Sequence, residues 1–254
     1  MRPCPICQSQ PSKFNEAYLK CPTCQLLFYR EIPALDDLKF MYSGGWLKGL
    51  RRKLLTPMRR IWMLKGKRRA RARAERIFSV ARELAPEGSA TFLDMGCNKG
   101  WLLEAAMKGG FDAHGIEIAR GQIGPFLNTY RRMRANVEIG PFLDVAAVFA
   151  DGQFDVVTAI DVIEHFREPR EAFAEILRIL KPGGCLVAQT PDTESVNAKQ
   201  EGDTWHTMKP MEHMHLFNAE NLRRLATEIG FDRVELLPES LDAPQVNLTA
   251  VLYK

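Results

Sequence analysis

The chain lacks the features of a membrane-spanning protein, a secreted disulfide scaffold or a dinucleotide enzyme. No run approaches the ~18 apolar residues that span a bilayer, and the opening MRPCPICQSQ has no apolar segment to serve as a signal peptide. A cytoplasmic location is expected, where six cysteines are metal ligands or core residues rather than disulfides. Acids are scarce in one stretch only. Residues 48 to 76 hold 13 Lys or Arg against Glu75 alone, a local charge of +12, so the net +4 of the chain conceals a remainder of −8. With 254 residues, 46% of them hydrophobic, the chain can bury the core of one large or two unequal domains.

Four cysteines fall in two pairs, Cys4-Pro-Ile-Cys7 and Cys21-Pro-Thr-Cys24, with 13 residues between them. Each C-x2-C turn aims two thiolates at one point, and two such turns close a tetrahedron around Zn(II). Strands are expected at Lys13 to Lys20 and at Gln25 to Tyr29. A unit of about 35 residues buries too little to hold itself together, so metal binding supplies the missing free energy. The arrangement resembles a zinc ribbon. Four thiolates leave no open coordination position, which makes the zinc structural.

From Thr91 onward, short apolar runs alternate with helical patterns, as in a parallel α/β sheet. Strands are predicted at 91–95, 113–118, 136–139, 154–160 and 185–190, and helices at 101–108, 170–180 and 219–229. Lys181-Pro-Gly-Gly184 is expected to turn a helix into a strand, and 233–237 and 248–253 to close the sheet with an antiparallel pair.

Ligands of such sheets sit at the carboxyl ends of central strands. There the chain reads Asp94-Met-Gly96-Cys-Asn98-Lys-Gly100, whose glycines permit close backbone approach. GxGxxG is absent, and a carboxylate at Asp94 repels a pyrophosphate but attracts an ammonium. Glu117, ending the second strand, can accept hydrogen bonds from ribose hydroxyls. A ligand with a ribose and an ammonium but no phosphate is S-adenosyl-L-methionine.

These motifs resemble the class I S-adenosylmethionine-dependent methyltransferases, within them the small-molecule group with D-x-G-C-x-x-G. The likeness covers about 165 residues from Thr91, carried in order by LDMGCNKG, GIEIA, FDVVTAIDVIEHF, LRILKPGG and EHMHLFNAENLRRLATEIGF. It implies a Rossmann-like seven-stranded sheet with its last strand antiparallel, over 86–254, preceded by a zinc ribbon over 1–40 and a basic helical linker over 41–85. It also implies cofactor contacts from Asp94, Gly96, Asn98, Gly100, Glu117, Ile118 and Asp161. Asn98 stands where the family has Gly, and tolerates left-handed geometry better than most residues. The family's adenine-binding acid is missing after the third strand, where Gly140-Pro141-Phe142 leaves backbone groups and Phe142, with Asp144 and Asp151 as substitutes.

Methyl transfer from a sulfonium needs a positioned nucleophile and exclusion of water. A hydroxyl acceptor also needs a base, for which His165, His213 and His215 are candidates, with His165 and His213 preferred. Asp161, Glu164 and His165 resemble the E-x-x-E-H cluster with which some quinone-biosynthetic O-methyltransferases hold a divalent ion. No strand-end N/D-P-P-Y is present, which disfavours methylation of an exocyclic base amine, and no Pro-Cys pair suggests a cytosine C5 nucleophile. Trp205 and His206 are expected to line the acceptor pocket or pack a lid. The basic arm has three uses: a helix packed on the catalytic domain, contact with an acidic or lipid-linked acceptor at a membrane surface through Leu47, Leu50, Leu54, Met58, Ile61 and Trp62, or RNA binding through Arg68, Arg69, Arg71 and Arg73. The acceptor is expected to be a small molecule of glycan, quinone or metabolite type methylated on oxygen, with RNA methylation as the alternative.

Overall fold

The computed structural model describes residues 1–42, 57–118, 136–237 and 246–254. Its centre is a seven-stranded sheet. In chain order its strands are β4 (Thr91–Met95), β5 (Asp112–Glu117), β6 (Val137–Ile139), β7 (Phe154–Ile160), β8 (Leu180–Pro191), β10 (Arg233–Leu236) and β11 (Asn247–Tyr253), arranged β10-β11-β8-β7-β4-β5-β6. β4 to β8 are mutually parallel, and β11 runs antiparallel to both β8 and β10. The seven-stranded expectation therefore holds, with the last strand as the reversed one.

Alternation along the strands splits the apolar residues between two layers. Phe92, Val156, Val187 and Val251 face α2 (Pro57–Leu84) and α3 (Trp101–Lys108), joining Ala74, Ile77, Phe78, Leu103 and Ala106. Leu93, Val157, Leu186 and Leu252 face the other way, towards α5 (Pro169–Ile179) and α7 (Ala219–Ile229). α7 opens with a reciprocal Asn218–Asn221 capping box and ends at Gly230, φ 113.

α2 carries the described part of the charged arm, from Pro57 onward. Pro57 is the first residue of this helix, where a proline has no hydrogen bond to lose. Leu47, Leu50 and Leu54 lie outside the described residues, as do the side chains of Met58, Ile61 and Trp62. The buried side of the helix packs on α3 and the sheet, where Phe78, Phe92 and Phe111 meet edge to face.

Two expectations about strands need correction. Lys181–Gly184 does not separate a helix from a strand: β8 already begins at Leu180, opposite Phe154, and Val156 pairs with Cys185, so the four residues bulge out within one strand. The single strand expected over Lys13 to Lys20 is two, β1 (Ser12–Lys13) and β2 (Tyr18–Lys20), because the Asn15 carboxamide oxygen accepts from the N–H groups of Ala17 and Tyr18 and closes a turn.

β1, β2 and β3 (Leu27–Tyr29) form a small antiparallel sheet completed by β9 (His215–Leu216), a strand from the carboxy-terminal half of the chain. The main core also runs without a break from Ile6, Leu26 and Phe28 into Phe217 and Leu222. The cysteine-rich unit thus shares a core with the seven-stranded domain and draws a strand from the same carboxy-terminal half of the chain.

Candidate functional site

The parallel strands turn outward at β4, which lies between β5 and β7, so the carboxyl ends of these strands frame a crevice. Asp94 is buried near the end of β4, beside Glu117 at the end of β5. The connecting loop is left-handed at three of five positions: Gly96 (φ 68), Asn98 (φ 45) and Gly100 (φ 69). Asn98 therefore adopts the conformation expected of it. At Gly96 a side chain is excluded twice over, since a Cβ there would lie 2.7 Å from Val162 Cγ2. Gly100 then leads into α3, whose first N–H groups face the crevice end of the sheet.

Glu117 Oε2 accepts from the Asn98 N–H at 2.8 Å, which ties the loop to β5. Asp94 Oδ1 accepts from the Thr158 hydroxyl at 3.0 Å. Burial pushes the Asp94 carboxyl up to about 7, opposed by the Thr158 hydrogen bond and assisted by the like charge of Glu117. A cation at this point would reverse that cost. Thr158 was not visible as a site residue in the sequence; its signal is a lone hydroxyl on the buried strand FDVVTAI.

Ile118 follows β5 and is half-buried. Phe142 opens α4 (Phe142–Val145), is buried, and stacks on Phe166 at 5.9 Å. Asp144 is exposed in the same short helix. Asp151 is excluded as an adenine partner, because it sits on the turn entering β7, at the opposite end of the sheet, and pairs with Arg178. Cys97 and Cys185 are buried as expected; a Cβ on Gly115 would lie 2.9 Å from Cys97 Sγ.

Across the crevice, β7 exits through Asp161, φ 57, into a 3-10 turn at Ile163–His165. The Asp161 carboxylate is paired with Arg73 of α2 at 2.8 Å. The group that assembles is instead Glu164, His165 and His213, with one ligand atom from each mutually within 4.8 Å. His213 thus takes the place that the motif assigned to Asp161. His165 Nδ1 lies 2.7 Å from the Glu212 carbonyl and His213 Nδ1 2.8 Å from the Thr207 carbonyl. As carbonyls only accept, both rings carry their proton on Nδ1 and present Nε2 as an acceptor. The rings meet edge to face at 4.8 Å, and His165 Nε2 is 3.9 Å from Glu164 Oε1.

The electrostatics agree with that assignment. Burial lowers the pKa of His165, and takes His213 down to about 3 with help from His165 and Lys209. Burial raises Glu164 to about 8, although Thr190 donates a 2.9 Å hydrogen bond to its Oε2. The two imidazoles are neutral near pH 7, with carbonyl-oriented rings and converging acceptors, the arrangement that serves a metal ion or a hydroxyl proton.

Three other expectations resolve here. His215 is wholly buried in β9 opposite Phe28, outside the crevice cluster. Trp205 is buried against Tyr18, Leu27, Ala198 and Leu216, so it packs the lid rather than lining an open pocket. His206 is exposed and bonded to Glu201.

The four cysteines converge as their spacing requires. Cys4 Sγ is 3.5 Å from Cys24 Sγ, Cys7 Sγ is 3.4 Å from Cys21 Sγ, and all four sulfurs lie within 4.8 Å of one another. A tetrahedron with 2.3 Å Zn–S bonds has edges of about 3.8 Å, so the donor set fits that ion. The two knuckles repeat one geometry: Gln8 and Gln25, each following its pair's second cysteine, both have φ 59.

Comparisons with known proteins extend this picture. A family model described as a methyltransferase domain matches residues 67–236. Over 99 residues the chain is 33% identical to a ubiquinone biosynthesis O-methyltransferase of Methylococcus capsulatus, covering 39% of this chain and 42% of that protein. The match thus spans about two fifths of that relative's length. A SAM dependent methyltransferase from Archaeoglobus fulgidus has a similar structure, with TM-score 0.55 and 16% identity, covering 71% of this chain and 94% of that one. The [4+2]-cyclase SpnF has TM-score 0.54 and 19% identity, covering 71% and 80%. Likeness at such identities establishes the fold alone, and a cyclase among the neighbours is a reminder that chemistry must be argued from the site.

Proposed function

The chain belongs to the methyltransferase domain family, and from that premise we propose that it transfers a methyl group from S-adenosylmethionine to a hydroxyl oxygen of a small molecule. The observation that carries this reading is the buried pair Asp94 and Glu117 at adjacent strand ends, around a loop with three left-handed residues. Asp94 would hold the cofactor's ammonium, Glu117 its ribose hydroxyls, and the backbone of Gly96, Asn98 and Gly100 would allow close approach. Ile118, Gly140 and Phe142 would border the adenine, and Asp161 the mouth of the pocket. When bound, S-adenosylmethionine supplies an electrophilic methyl group on a sulfonium.

On the acceptor side, the residues' own work is to hold a hydroxyl and accept its proton. Nε2 of His213 or His165 can do so, and the buried Glu164 and Phe166 keep the surroundings poor in water. A second reading of the same cluster is favoured by the two Nδ1 contacts to carbonyls, an arrangement that orients metal-binding histidines. Glu164, His165 and His213 would then hold a divalent cation, which favours the ionised form of an acceptor hydroxyl. The relative's name supports an acceptor of quinone type, whose reduced form carries phenolic hydroxyls. Cys4, Cys7, Cys21 and Cys24 would hold one structural Zn(II).

Support for the RNA alternative is lacking. Arg71, one of the four arginines it requires, lies 4.6 Å from the Trp101 ring centre and is paired with Glu104, while Arg73 is paired with Asp161. No helix among the described residues is long and apolar enough to cross a membrane.

The test is transfer of labelled methyl from S-adenosylmethionine to a panel of catechols and hydroquinones, with and without added Mg(II) or Zn(II). Label in an aryl methyl ether is expected; label only in added RNA, or none in any phenol while the cofactor binds, overturns the acceptor assignment.

A further inference from the structure

The cysteine-rich unit touches the acceptor cluster through a short series of contacts. Tyr18 of β2 is buried, and its hydroxyl donates to the His213 carbonyl at 2.9 Å. The next carbonyl, that of Met214, accepts from the Tyr29 N–H at 2.9 Å. On the other side, the Met214 N–H donates to the Glu164 carbonyl at 2.8 Å. The dipeptide His213–Met214 is therefore clamped between the amino-terminal hairpin and the turn that carries Glu164 and His165. Beyond it, β9 continues the pairing, with His215 opposite Phe28 and Leu216 opposite Leu27.

The hairpin is itself anchored at both knuckles. Arg170 of α5 donates to the Ile6 carbonyl at 2.9 Å, and Asn221 of α7 donates to the Cys24 carbonyl at 3.3 Å. Tyr18 and Leu27 also pack with Trp205 and Leu216 in one buried cluster. A tethered accessory module would contact the domain through exposed, polar surfaces. Here two consecutive carbonyls beside a candidate site residue are both satisfied by the hairpin, and leaving either buried and unpaired would cost about 1–3 kcal/mol.

We propose that the hairpin is a wall of the acceptor site and that Tyr18 is a positioning residue for His213. The inference rests on reading Glu164, His165 and His213 as the acceptor side. Tyr18 touches none of the reacting groups; its hydroxyl fixes the peptide from which the His213 ring projects, while the Nδ1 contact to Thr207 fixes the ring about that peptide. At the cofactor end, Asp94 accepts from Thr158 and Glu117 from the Asn98 N–H, and neither donor belongs to the clamp.

The experiment uses the full, metal-loaded chain labelled with 13C and 15N in histidine, together with titration of S-adenosylhomocysteine. In Tyr18→Phe the ring signals of His213 should move more than those of His114 and His206, which lie outside the clamp. The S-adenosylhomocysteine Kd should stay within about twofold, as expected where the substituted hydroxyl lies on the acceptor side and contacts none of the cofactor-end residues named above. Arg2→Gln is the gentler companion: Arg2 donates to the Tyr29 carbonyl at 2.7 Å, and its loss should displace the same signals less. Unmoved His213 signals in both variants overturn the proposal. So does a shift of all histidines together with lost ligand affinity, which would mark general loosening. Neither arm requires methyl transfer, so failure of the wild type to bind S-adenosylhomocysteine would count against the enzymatic reading and leave the clamp to be judged on the His213 signals.

Discussion

The two ends of the crevice are assembled in different ways. At the cofactor end, Asp94, the loop through Gly100, and Glu117 come from one strand-loop-helix-strand unit, and their hydrogen bonds join neighbouring strands. At the acceptor end, Glu164 and His165 meet a histidine some fifty positions on, whose backbone is held by Tyr18, 195 positions away in sequence. The cofactor loop and its tie to Glu117 lie within one local unit, with Thr158 of β7 added from the neighbouring strand, whereas the acceptor end exists only once the whole chain has folded. Damage to the cysteine unit should therefore reach one end of the crevice before the other.

The largest effect is expected from Cys21→Ser. Structural zinc contributes on the order of 10 kcal/mol to small metal-folded units. Because this unit shares its core with the seven-stranded domain, losing the metal should lower the melting temperature of the whole chain by roughly 20 °C or more. Metal analysis should fall from one zinc per chain to none; an unchanged melting temperature without zinc would show the two ends to be uncoupled.

Asp94→Asn probes the other end and should act in the opposite direction. A carboxyl raised from 3.8 to about 7 costs stability above the folded value, so the penalty is complete near pH 8 and vanishes as the pH falls below 3.8, under both values. The substitution should stabilise the cofactor-free chain at pH 8 by up to about 4 kcal/mol, read as a higher melting temperature, and leave it unchanged at about pH 3. Destabilisation at pH 8 would mean that Asp94 is satisfied without a cation.

His213→Asn should reduce methyl transfer by about 100-fold or more while leaving S-adenosylhomocysteine affinity intact. Equal losses in both would merge the two ends into one. The smallest effect is expected from Arg73→Gln, which removes a half-exposed ion pair with Asp161 worth about 1 kcal/mol or less, best followed as a change in the salt dependence of cofactor binding.

The same contrast explains what the sequence discloses. β4, β7, α3 and α7 fall on their predicted limits, because alternation and helical spacing are local. The cysteine tetrahedron is legible for the same reason: each knuckle is a four-residue turn. β9 is not legible, since two residues carry no periodicity and their strand pairing is chosen by a hairpin near the other end of the chain. The partnership of His213 with Glu164 follows from that pairing, and so was out of reach of motif spacing, which pointed to Asp161. Arg73 belonged to a run of like charges in which nothing distinguishes the residue that reaches Asp161 from its exposed neighbours.

Titration of S-adenosylhomocysteine into the wild-type chain, Asp94→Ala, Glu117→Ala and Glu164→Gln tests the central claim most directly. Micromolar binding is predicted for the wild type and for Glu164→Gln, and none for Asp94→Ala or Glu117→Ala. Binding that survives both alanine substitutions, or no binding to the wild type, would contradict the assignment of this crevice to S-adenosylmethionine.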